Sequence, residues 1–216
     1  MYLPAHFTVA ELADIKDFVA HVAAADFVSV DNDSQPLATL MPCIWKTDDN
    51  GHGTLYMHMA RANKQWESIQ DGARALAIVH GPQAYISPSN YAAKAEHGKV
   101  VPTWNYTAVH LSGTVSVSHD TEYLREIVRE LTDHHENSRS KPWSIDDAPS
   151  TYMDAQLRGI VAITLHVDRV EAKAKLNQNR SQEDQDGVVA DLNQSSKSEE
   201  RTIATLMSTD GSKLFR

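Results

Sequence analysis

Two cations three residues apart, Arg61 and Lys64, stand in the stretch of the chain whose residue types and spacing best suit anion binding. Residues 54–66, TLYMHMARANKQW, read as a strand that breaks at Arg61 and restarts as a helix. Alternation puts Tyr56 and His58 on one strand face and Leu55, Met57 and Met59 on the other. Asn63 is a good N-cap, and its position predicts a helix over residues 64–71 that stops at Gly72. Cations in a first helical turn oppose the helix dipole, so the arrangement makes sense with an anion at that N-terminus, a phosphate above all. The alternative is a solvated helix start with polar neighbours. His58, one alternation before the pair, either faces the same ligand or is a hydrogen-bonded structural histidine.

Three further residues have chemistry to offer. Trp104 and Asn105, in VPTWNY, follow a proline at a strand start and suit the wall and rim of a site for a planar heterocycle. GPQAYISPSNY (residues 81–91) has similar ingredients, but Tyr85 and Tyr91 read better as packing residues. Arg180, before a second capped helix start, repeats the logic of Arg61, with pairing to Glu183 or Asp184 as its structural alternative. No metal site is expected. The eleven histidines show no HxxxH or HExxH spacing, and Cys43 is the only cysteine. GxSxG, Walker and GxGxxG signatures are absent, as is a helix-turn-helix with a basic recognition helix.

The elements that position these residues follow from period and punctuation. Thr8 and Glu11 read as a capping box before an amphipathic helix over residues 9–24, carried by Leu12, Ile15, Val19 and Val22. Strands are predicted over 27–30, 36–45 and 54–60, joined as consecutive hairpins through DNDSQ and TDDNGHG. Two more, 74–80 and 84–87, flank Gly81-Pro82. Residues 88–102 form a connection with a helical turn at 91–96. A long strand over 104–118 has Gly113 as a possible bulge, and Asp120 caps a helix over 121–135. After a loop come a helix over 151–157 and a strand over 160–170, apolar on both faces and therefore central. Ser181 and Asp184 open a helix to Leu192, and a last helix spans 202–207. Six or seven strands with interspersed helices indicate an α+β barrel rather than a doubly wound sheet.

A chain of 216 residues is long enough for a substantial core. A net charge of -9 argues against a broad nucleic-acid footprint. No basic segment leads an apolar one at the start, and no apolar run reaches membrane-spanning length, so the chain reads as cytoplasmic.

The ordered motifs MYLPAHF, HMARANKQW, GPQAYISPSNY, VPTWNYTAVHLSG and KLNQNRSQEDQDGV resemble the PaiB family of FMN-binding transcriptional regulators. The resemblance extends to about Leu192. It implies a split β-barrel of mainly antiparallel strands with peripheral helices, similar to the pyridoxamine-phosphate oxidases. It also implies a homodimer that holds FMN at its interface. A split-barrel domain is then expected over residues 1–172, and a helical extension over 173–216 packed on the barrel or on the dimer partner. ARANKQ looks like the oxidase segment whose cations grip the FMN phosphate, which gives Arg61 and Lys64 that role. Residues 36–45 look like the oxidase strand with further basic ligands; here they read PLATLMPCIW, with no cation until Lys46 and Thr39 as the remaining donor. The family name implies negative regulation of sporulation and degradative-enzyme genes. A flavin-dependent oxidoreductase or haem-handling enzyme using the same pocket is the alternative; direct DNA repression and an empty interaction module rank below it.

Overall fold

A computed structural model describes residues 1–47 and 52–209. Helix α1 (Leu12–Val22) leads into strands β1 (Ala24–Val30), β2 (Pro36–Pro42), β3 (Ile44–Thr47) and β4 (Gly53–Ala60). Strand β5 (Arg74–Ile86) precedes the short α2 (Ala93–Glu96), followed by β6 (Thr103–Ser118) and α3 (Thr121–Glu136). Helix α4 (Ser150–Leu157), strand β7 (Ile160–Lys175) and helices α5 (Gln182–Asn193) and α6 (Ser198–Met207) complete the chain order. The strands form one sheet in the order β2-β1-β5-β6-β7-β4-β3. Strand β1 pairs antiparallel with β2 and β5, and β4 with β3 and β7.

The residues divide into two compact units. One comprises Val19–Val79 and His110–Val170; the other comprises Met1–Phe18, His80–Val109 and the chain from Glu171 onward.

In the first unit, period-2 alternation decides what is buried. Phe27, Leu55, Met57, Ala77, Val161, Ile163 and Leu165 face the core. The opposite face of β4 and β7 is covered by α3 and α4, where Leu124, Ile127, Leu131 and Leu157 pack on Ala162, with Tyr56 beside them. Strand β7 therefore runs inside the sheet, with both faces covered from Val161 to Leu165, as its apolar sequence predicts there. Asp120 caps α3 by accepting from the Tyr123 N–H at 2.8 Å. Cys43 is buried, and burial pushes its thiol up to about 12, leaving it inert.

Several sequence expectations need correction. The helix expected over 64–71 is a five-residue 3-10 turn, Lys64–Ser68; residues 69–73 provide no continuing apolar stripe. Helix α1 starts at Leu12 instead of residue 9, because the Thr8 hydroxyl donates to the Pro4 carbonyl and Thr8 bridges Lys173. The strand expected over 36–45 is two strands broken at Cys43, whose N–H donates to the Ala23 carbonyl. The expected antiparallel pairs β1–β2 and β3–β4 both form, but they share no strand, and β2 and β3 lie at opposite ends of the sheet order. Gly81-Pro82 does not end a strand: β5 continues, and the buried face shifts from Ala75, Ala77 and Val79 to Ala84 and Ile86. The turn expected at TDDNGHG includes residues 48–51, which lie outside the described residues.

Gly113 on β6 sits directly against the backbone of β7. A Cβ there would lie 1.9 Å from the His166 carbonyl oxygen, a β7 backbone atom with no room to retreat. Gly113→Ala is expected to cost about 2–4 kcal/mol of stability, measured by denaturant unfolding.

Candidate functional site

Asn63 begins the site. Its side-chain Oδ1 accepts from the Gln65 N–H at 3.0 Å, capping the 3-10 turn as its residue type predicts. The same side chain donates through Nδ2 to Thr39 Oγ1 at 2.9 Å. Thr39 in turn donates to Gln65 Oε1 at 2.6 Å. Gln65 is 4% exposed, and its Nε2 donates toward the Phe27 and Leu37 carbonyls and Ser29 Oγ. One buried carboxamide thus ties β1, β2 and the turn after β4 together. This residue was missed by sequence reasoning; a Gln two places after an N-cap has no signature of its own.

Thr39, Asn63, Lys64 and Gln65 line an open cleft of about 420 Å³, together with Asp31 and Ser68. Lys64 projects into solvent with its side chain 73% exposed and pairs with Glu67 at 2.6 Å. Three of the sequence candidates, Thr39, Asn63 and Lys64, are therefore brought to one cleft.

Arg61 is directed elsewhere. Its Nε donates to the Arg158 carbonyl at 3.0 Å and its Nη2 to the Ile160 carbonyl at 3.3 Å, while Nη1 lies 3.2 Å from His119 Nδ1. Its backbone N–H donates to Gly159, and its carbonyl accepts from the Trp66 indole N–H. The guanidinium binds the carbonyls that follow α4, a favourable place for a cation. His58 pairs in register with Ala162, on the face that α3 and α4 cover, and lines no part of the cleft. Burial lowers its pKa, and its Nδ1 has no hydrogen-bond partner among the described residues.

The remaining candidates belong to the second unit. The Trp104 indole N–H donates to Gln83 Oε1 at 3.0 Å, and the ring is 6.3 Å from that of Tyr85. Both rings are about half exposed. Asn105 is fully buried, with Nδ2 3.5 Å from the Met207 sulfur. Arg180 lies 4.6 Å from the Tyr91 ring centre and 3.9 Å from the Asp184 carboxylate. Asp184 also accepts from the Ala93 N–H, and Asn177 donates to the Tyr91 hydroxyl. Arg180 is thus part of an interlock between residues 88–96 and α5. Among the described residues no cluster of His, Cys, Asp and Glu could hold a metal ion, and no helix is long and apolar enough to cross a membrane.

Two measurements check these placements. Gln65→Leu removes the acceptor of the Thr39 hydroxyl proton and the donor that faces Ser29 and the Phe27 and Leu37 carbonyls, and should cost about 2–4 kcal/mol in denaturant unfolding. A buried His58 with a lowered pKa stays neutral in the folded protein while the unfolded chain protonates near the ordinary value of 6.5. Its contribution is complete above that value and is lost as pH falls through it toward the folded pKa. His58→Phe should accordingly flatten the fall in stability between about pH 7 and pH 5, relative to the parent protein.

Comparison with known proteins agrees with this architecture. Residues 1–169 match the family model described as "Putative FMN-binding domain". Over 207 residues, 96% of each chain, the sequence is 31% identical to "Protease synthase and sporulation protein PAI 2" of Bacillus subtilis. The fold is similar to that of the FAD and heme binding protein from Mycobacterium smegmatis, with TM-score 0.54 and 16% identity over 78% of this chain and 72% of that one. It is also similar to a flavocytochrome from Azotobacter vinelandii, with TM-score 0.55 and 13% identity over 80% and 72% of the two chains. The sheet with its helices is the α+β split barrel implied by the sequence motifs. The chain belongs to the PaiB-type family described as "Putative FMN-binding domain".

Proposed function

We propose that the protein is a homodimeric split barrel that binds a flavin, FMN in the first instance. The observation that carries this reading is the cleft at the end of β4. Thr39, Asn63 and Lys64 meet there on a wall held rigid by Gln65, in a chain whose family description names FMN. The donors and acceptors present fit the hydroxylated ribityl chain of a flavin. Lys64 supplies a cation, Asn63 retains an amide proton, and the Thr39 hydroxyl retains an acceptor lone pair. When bound, the flavin supplies the electron chemistry, and the protein's part is position and electrostatics.

The dimer is supported by the outer sheet face of the first unit. Val28, Val30 and Leu76 line a shallow depression of about 460 Å³ with Arg74 and Arg169 at its edge. Val30 and Leu40 are 53% and 67% exposed, more than isolated surface residues of this type require. Arg74 pairs with Asp168, so both signs of charge border the face, which suits a self-complementary contact across a two-fold axis. A net charge of -9 opposes direct binding to a DNA backbone, so the regulatory output named by the resemblance is assigned to flavin-dependent behaviour.

Titrating the purified protein with FMN should quench flavin fluorescence and perturb its visible spectrum, and sedimentation should show a dimer that Leu40→Lys shifts toward monomer. Absence of any spectral change at saturating FMN refutes the flavin half, and a parent protein that sediments as monomer refutes the dimer. Haem added in a parallel titration separates the haem-handling alternative, since a Soret shift without FMN binding would favour it.

A further inference from the structure

The hydrogen-bond polarity of the cleft can be worked out atom by atom. Carbonyl oxygens only accept and backbone N–H groups only donate, so both side-chain amides have fixed orientations. Gln65 directs Nε2 at the Phe27 and Leu37 carbonyls, which leaves Oε1 toward Thr39. The single Thr39 hydroxyl proton therefore goes to Gln65, and Oγ1 presents a lone pair to the cleft. Asn63 accepts the Gln65 N–H through Oδ1, so its Nδ2 faces Thr39 and one amide proton remains. The Ser68 hydroxyl donates to the Gln65 carbonyl at 2.8 Å, leaving only acceptor capacity outward. Asp31 brings a carboxylate to the same cleft, its Oδ1 already accepting from the Asp33 and Gln35 N–H groups.

This inventory is poor in donors. Arg61 does not line the cleft, and its guanidinium is taken up by the carbonyls of Arg158 and Ile160. The 3-10 turn has only five residues, so it brings little of the aligned dipole that a longer helix offers an anion. Lys64 remains, mostly exposed and paired with Glu67. An exposed cation of this kind changes affinity by about tenfold at most. Against it stand the Asp31 carboxylate and two hydroxyl oxygens that present lone pairs.

We infer that the cleft reads the hydroxyl hydrogens of its ligand's chain and contributes little to holding a terminal phosphate. The ligand class is a heterocycle bearing a polyol chain, with the phosphorylated and unphosphorylated forms bound almost alike. Identification of that heterocycle as a flavin rests on the function proposed above; the polarity of the cleft does not.

The test compares FMN, riboflavin and lumiflavin, which share the ring system and differ in phosphate and hydroxyl chain. Dissociation constants for FMN and riboflavin are expected within about tenfold of one another and nearly independent of salt, with lumiflavin weaker by about tenfold or more. FMN tighter than riboflavin by about a hundredfold, or steep loss of FMN affinity with salt, overturns the inference. So does lumiflavin binding as well as riboflavin. A second arm is independent of the flavin: the backbone amide resonances of Thr39, Asn63 and Lys64 are followed as millimolar inorganic phosphate is added. Unmoved resonances support the inference, and a saturable shift overturns it. Failure of all three flavins to bind defeats the proposed ligand while the phosphate arm still decides the polarity of the cleft.

Discussion

The Gln65 carboxamide presents an acceptor to one side and donors to the other, and three pieces of chain are arranged around that difference. Its Nε2 satisfies carbonyls of β1 and β2, and its Oε1 orients the Thr39 hydroxyl. Because the amide is buried, an unpaired atom anywhere in the set is costly, so the set forms as a whole or not at all. That constraint fixes where the chain turns after Ala60. It also fixes the face Asn63 shows to the cleft and the direction in which Lys64 leaves the backbone. The cleft is a by-product of this network, and its chemical character follows from which protons the network has already used.

A similar economy explains the motifs of the second unit. Tyr91, Asn177, Arg180 and Asp184 satisfy one another, and Asp184 also receives the Ala93 N–H. Gly187 permits close approach to Asn90, since a Cβ there would stand 2.1 Å from the Asn90 carbonyl oxygen. GPQAYISPSNY and KLNQNRSQEDQDGV are thus two halves of one interlock. A cation at a helix start is as well used holding an aromatic ring and a buried carboxylate as holding a ligand.

What could be read from the sequence was whatever depends on neighbours in the chain. Alternation separated the two faces of β4, the apolar run of β7 marked it as an inner strand, and the caps at Asn63, Asp120 and Ser181 all accept backbone N–H groups. What could not be read depends on distant partners. The start of α1 is decided by Thr8 meeting Lys173, and the break at Cys43 by its bond to Ala23. Gly81-Pro82 reads locally as a turn, but the continuing sheet accommodates it as a change of facing within β5. Around the cleft, the sequence placed a helical start at Lys64, where the 3-10 turn begins, while Gln65, the centre of the hydrogen-bond network there, lacked any local signal.

Arg61 shows why residue type and position do not determine a binding role. Three residues from Lys64, it shares the same turn, yet its side chain crosses to the carbonyls after α4 and to His119. Those carbonyls follow the C-terminal end of a helix and carry partial negative charge, so they compete for a guanidinium on the same terms as an external anion would. A fixed internal acceptor has the advantage, since it requires no ligand to be immobilised. The neighbouring Lys64 has only a surface carboxylate as its partner, a weak and replaceable one. Of two cations that look equivalent in sequence, the one with the richer donor set is consumed by the fold. In the flavin site proposed above, the one left is a single point charge, and hydroxyl and amide geometry would do most of the recognition.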